Sequence, residues 1–119
     1  MIEHTFPIRT VSEANRRGHW AKHARRTADQ RRAVLLAFRP AILAAKWTLP
    51  VRVTIVRIAP RALDSDNAVG SAKHARDGIA DALAAIGLRD DRDARVTWLV
   101  GQERGKPREY GVRIILEAT

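Results

Sequence analysis

The run LPVRVTIVRIAP, Leu49 to Pro60, limits the fold more than any other stretch. It is rich in valine and isoleucine and bounded by prolines. β-Branched residues suit a pleated surface, so the run predicts a central strand. A helical repeat follows. Val69, Ala72, Arg76, Ile79, Leu83 and Ile86 recur at three- and four-residue steps, and Gly87 is placed to end the helix. A strand followed by an amphipathic helix and further strand signals requires a sheet with helices packed on it.

The remaining segments fit that frame. HTFPIRT, residues 4–10, predicts a short first strand, and Pro7 sends it to a sheet edge. RRAVLLAF places Val34, Leu35, Phe38 and then Ile42 on one helical face, with Pro40 expected to kink or interrupt the helix. Residues 94–101 read as a strand, GQERGKPRE as a hairpin loop, and YGVRIILEA as the last strand. The expected architecture is α+β: one domain over residues 1–119, a small mixed β-sheet with two main helices, in the order β-α-β-α-β-β.

Composition narrows the partner. The chain has 22 Lys and Arg against 13 Asp and Glu, a formal net charge of +9. Such an excess predicts a polyanion, most often nucleic acid. The N-terminal half of the first helical region carries Arg16, Arg17, Lys22, Arg25 and Arg26 around His19 and Trp20. It reads as a phosphate-binding face or as a solvated basic face, with Trp20 either a buried anchor or a stacking group. There is no cysteine, so disulfides and thiolate metal sites are excluded. No apolar run approaches the roughly 20 residues of a membrane helix, and the first ten residues hold no secretory h-region. A soluble, cytoplasmic protein is expected.

The acids are few and grouped. Asp64 and Asp66 end the loop after the central strand, and Asp90, Asp91 and Asp93 precede the next one. Gathered together, such carboxylates would raise one another's pKa unless a cation neutralised them. Oxygen-only ligands suit Mg²⁺, with Mn²⁺ as a substitute. In a basic protein that arrangement suggests metal-assisted phosphodiester hydrolysis. The structural alternative is open: Asp66 or Asn67 caps the helix, and DDRD is an exposed turn. On a continuous helix Asp66, Gly70, Lys73 and Asp77 share one side. Lys73 then either stabilises a phosphate or pairs with Asp77.

DSDN, then a helix with a lysine and RDGIADAL, then GLRDD leading into a strand, resembles the RusA family of phage-derived Holliday junction resolvases. NRRGHWAKHARR, Asn15 to Arg26, adds to the likeness, which spans roughly residues 12–100. The resemblance implies a small α+β, Mg²⁺-dependent endonuclease, bacterial or phage-encoded, acting as a homodimer on four-way DNA. Carried over, Asp64, Asp66 and Asp91 are catalytic metal ligands. Counting back from Val96 puts Asp93 in the third position instead. The family lysine falls at Gly70 here, and Lys73 lies one turn later. The alternative class is a non-catalytic DNA-binding protein whose acids are caps.

Overall fold

The structure is a computed structural model. It describes the backbone of residues 1–9 and 20–119, and at residues 20–24 and 65 the backbone alone. The elements are β1 (Ile2–Phe6), α1 (Trp20–Ala44), β2 (Val51–Ala59), α2 (Ser65–Ser71), α3 (Lys73–Leu83), a 3₁₀ turn (Ala84–Ile86), β3 (Val96–Arg104) and β4 (Gly111–Ala118). They form an α+β fold with one mixed four-stranded sheet in the order β1-β4-β2-β3. β2 runs parallel to β3 and antiparallel to β4, and β1 runs antiparallel to β4.

The period of two in β2 decides what is inside. Val51, Val53 and Ile55 point into the core with Val96 of β3 and Val112, Ile114 and Leu116 of β4. The stripe Val34, Phe38 and Ile42 of α1 and Ile79, Ala82 and Leu83 of α3 covers them. Each large side chain buried there stabilises the fold by roughly 1.5–3 kcal/mol. Both main helices thus lie on one face of the sheet. On the other face, ion pairs Arg52–Glu117 (3.1 Å) and Arg113–Glu103 (2.8 Å) flank a half-exposed Leu99.

Gly78 sets the distance between the two helices. A Cβ there would lie 2.6 Å from the Arg31 carbonyl oxygen and 2.7 Å from Val34 Cβ. Asp81 adds a directed contact, accepting from Arg31 Nε (2.6 Å) and Nη2 (2.8 Å). The Asp-Ala-Leu stretch is therefore a packing element: Asp81 ties α3 to α1 while Ala82 and Leu83 fill the core.

Three expectations change. β1 ends at Phe6, before Pro7, although it is an edge strand as anticipated. Pro40 lies inside α1 without interrupting it. It withholds the bond that would reach the Leu36 carbonyl, and both residues lie on the exposed side where water can serve that oxygen. The third change concerns the helix after β2, which is two helices. The Ser71 hydroxyl donates to the Ala68 carbonyl (2.8 Å), so the Ala72 N–H turns to Val69 O (3.2 Å) instead. The break shifts the phase, leaving Val69 52% exposed rather than in the apolar stripe.

Candidate nucleic-acid interface and acidic sites

One row of the sheet, Phe6, Val112, Arg57 and Gln102, crosses all four strands near the C-terminal ends of β1, β2 and β3. Basic residues collect just beyond it. Arg9 follows β1, and its guanidinium lies 4.5 Å from the centre of the Tyr110 ring. A cleft of about 560 Å³ joins Arg9 to Arg25 and Arg26 on α1, with Asp29 as its acid. A cavity of about 500 Å³ is lined by Arg57, Arg61 and Arg104 with Gln102. Arg57 Nη1 donates to Arg61 O (2.7 Å) and towards Gln102 Oε1 (3.4 Å). Burial, and next the charge of Arg9, hold the Arg57 pKa below the usual arginine range, while Tyr110 acts the other way.

The acidic loop begins at this end. Gln102 grips Leu63 twice, accepting from its N–H (2.8 Å) and donating to its carbonyl (2.7 Å). Asp64 follows at once and is the N-cap of α2, its Oδ1 accepting from Asn67 N–H at 2.9 Å. The cap is therefore Asp64, one residue ahead of α2, and neither Asp66 nor Asn67. Only one of its carboxylate oxygens serves the cap. Asp66 is exposed in the first turn, and Lys73 is exposed at the start of α3. The break at Ala72 separates these two, so they do not share one continuous helical face.

The second acidic group occupies the loop between α3 and β3, where each acid is engaged differently. Asp93 accepts from the backbone N–H of Arg89 (3.2 Å) and Arg95 (3.0 Å) and forms a two-point ion pair with the Arg95 side chain. The Arg95 guanidinium, then those two N–H groups, hold its carboxyl far below the usual carboxylate range. Arg95 also donates to Gly87 O (2.9 Å), where the chain takes the left-handed φ of 100° that ends the helix. Asp90 caps the turn by accepting from Arg92 N–H (2.8 Å).

Asp91 faces α3. Its carbonyl accepts from the Trp98 indole (2.9 Å) and from Arg76 Nη2 (3.1 Å). Its carboxylate lies 3.3 Å from Arg76 Nε, and the Arg76 guanidinium sits 4.7 Å from the Trp98 ring centre. That Nε is buried and lacks an aligned hydrogen bond. The pair is coulombic and off-line, so it holds the carboxylate less tightly than Arg95 holds Asp93. Trp98, Arg76 and Gln102 carried no role in the sequence reading beyond Arg76's place beside the apolar stripe. An indole and a glutamine on the inward register of a strand were the available signal.

The parallel pairing of β2 and β3 explains the separation of the two groups. The first acidic loop follows the C-terminal end of β2, and the second precedes the N-terminal end of β3. Both fold inward over β3, one anchored at Gln102 and the other at Trp98. Those anchors are four residues apart, roughly 13 Å along a strand. Among the described residues no three His, Asp or Glu side chains gather as a metal-binding group. The donor chemistry of Asp64, Asp66 and Asp91 suits a hard divalent ion, but their spacing here does not close around one.

No protein-family model and no curated protein matches the chain. Of the expected nucleic-acid contacts, Arg25 and Arg26 are exposed at the basic end. Arg16, Arg17 and His19 lie outside the described residues, as do the side chains of Trp20 and Lys22. Arg9, Arg57, Arg61 and Arg104 were not singled out by sequence, because arginines scattered through strands and turns form a patch only once the sheet aligns their ends. No helix among the described residues is long and apolar enough to cross a membrane.

Proposed function

We propose that the protein binds branched DNA at its basic end and is a RusA-like, divalent-metal-dependent endodeoxyribonuclease that resolves four-way junctions. The observation that carries this reading is that Gln102, which lines the cavity with Arg57, Arg61 and Arg104, also grips Leu63, the residue that leads into Asp64 and Asp66. Acids set beside a phosphate-attracting surface have little use in binding alone. Asp64 through its uncapped oxygen, Asp66 and Asp91 are the residues that would hold Mg²⁺ or Mn²⁺. Asp93 is spent on Arg95 and on two backbone N–H groups, which favours Asp91 as the third ligand. When bound, such an ion supplies a water nucleophile near neutral pH and offsets charge developing on the phosphate.

The protein's own groups do the rest. Arg25, Arg26 and Arg9 hold the backbone, Lys73 balances charge at the scissile phosphate, and Arg76 neutralises Asp91 when no cation does. Symmetric cutting of a two-fold junction calls for two copies of the site, hence a homodimer. The setting would be the cytoplasm of a bacterium, in DNA recombination and repair, with a chromosomal or phage gene.

A second reading, a non-catalytic DNA-binding protein, is favoured by the separation of the two acidic groups. A synthetic four-way junction with Mg²⁺ or Mn²⁺ separates the two. The nuclease reading expects strand cutting that Asp66→Asn lowers at least a hundredfold, and a Tm that rises with added Mn²⁺ in the wild type. Intact DNA together with an unmoved Tm would leave the binding reading alone.

A further inference from the structure

We propose that the cavity between Arg57, Arg61 and Arg104 is a phosphate site, distinct from the contacts of the basic first helix, that seats one phosphodiester of a nucleic acid next to Asp64. The inference rests on the nucleic-acid reading above and adds a site that neither the charge pattern nor the resemblance pointed to.

Three observations converge. First, the cavity is lined by three arginines and one acid, and that acid, Glu103, is engaged by Arg113 at 2.8 Å. Its field is therefore positive. Guanidinium groups match phosphate oxygens in geometry and charge. Second, Arg57 is half-buried and positioned by neutral oxygens, Arg61 O and Gln102 Oε1. Held in this way, the Arg57 guanidinium is already in place at the cavity wall before a ligand arrives. Third, Gln102 links the cavity to the acidic loop. It contacts Arg57 and holds both backbone groups of Leu63, so an anion in the cavity is registered against Asp64. At about 500 Å³ the cavity has room for a phosphate with part of its flanking sugars.

The test is the salt dependence of binding to a fluorescent four-way junction, compared between wild type and an Arg57→Gln/Arg104→Gln double variant. Each phosphate neutralised contributes about 0.9 to the slope of log K against log salt, so losing this one phosphate should lower the slope of the double variant by about 1. Arg39→Gln, an exposed position on α1, should change the slope little. A folded double variant with the wild-type slope overturns the proposal. Should the double variant not fold, Arg104→Gln alone must lower the slope, by no more than about 1, and no change there is equally decisive. Should the wild type not bind DNA, the reading above fails and titration with pyrophosphate judges the cavity. A Tm that rises in wild type and stays flat in the Arg104→Gln variant keeps it as a site for free phosphate. A flat response in both removes it.

Discussion

The two ends of the parallel strand pair use the same residue types to opposite effect. At the N-terminal end of β3, the loop carrying Asp90, Asp91 and Asp93 also carries Arg89, Arg92 and Arg95, so its formal charges sum to zero, and its acids turn to backbone N–H groups, to Arg95 and to Arg76. At the other end, Arg57, Arg61 and Arg104 line one cavity with Glu103, Arg9, Arg25 and Arg26 line another with Asp29, and the balance stays positive. Opposite charges close in sequence, as Asp93 and Arg95 are, meet within one loop and make structure. Charges delivered from separate strands and a helix are held apart by the scaffold and keep a field for a partner.

The contrast is broken most directly by charge removal. Arg25→Gln/Arg26→Gln should cut the salt slope of DNA binding by about 2, equivalent to roughly tenfold less affinity lost between 50 and 200 mM salt. Arg89→Gln/Arg92→Gln, an equal change of charge in the acidic loop, should leave the slope nearly unchanged when both are measured by anisotropy. Equal slopes for the two variants would remove the distinction between the ends.

Packing gives the next effect. Gly78→Ala should destabilise by about 1–3 kcal/mol in urea melts, because the added Cβ forces α1 and α3 apart. Junction binding at the basic end should fall with it if α1 must stay docked to present Arg25 and Arg26.

Asp64 separates capping from chemistry. Asp64→Ala should cost about 1 kcal/mol, and Asp64→Ser should recover most of that by keeping an N-cap oxygen. Cutting by the serine variant should remain lost if the carboxylate is a ligand. Cutting by Asp64→Ser at the wild-type rate would make Asp64 a cap only.

In the acidic loop, Asp93→Asn should lower Tm at neutral pH. The sign follows from its depressed pKa. The stabilisation is fully present above the ordinary carboxylate value of about 3.9 and is lost as pH falls through the much lower folded value. The gap between variant and wild type should thus close only in strong acid. The smallest effect is expected from Asp81→Asn. Its ion pair with Arg31 is largely solvated, so thermal melts should register less than about 1 kcal/mol.

The strands and the core were legible because their signals are local and repeated. The β2 run, the Val34–Phe38–Ile42 stripe and the Gly87 stop each needed only neighbouring residues to be read. The helix break was not legible in the same way. It depends on a hydroxyl of Ser71 winning the Ala68 carbonyl, a competition that leaves the apolar spacing unchanged. In the candidate site, the two acidic groups were legible as groups, while their separation was not. Strand polarity decides it, and the parallel polarity goes with the crossover through α3 that joins β2 to β3. The roles of individual acids depended likewise on long-range partners. Asp64 as cap, Asp91 against Arg76, and Asp93 under Arg95 look alike as letters and differ only in what the fold brings to them.

Trp98 gives that second loop an optical consequence. Its indole N–H is bonded to the Asp91 carbonyl, and a guanidinium rests against its ring. Any movement of Asp91 toward an ion or a phosphate must disturb one of these contacts. With Trp20 and Trp47 replaced by phenylalanine, the emission of the remaining indole becomes an intrinsic gauge of loop position. The edge strand thus carries its own fluorophore, stationed directly against the second acidic loop.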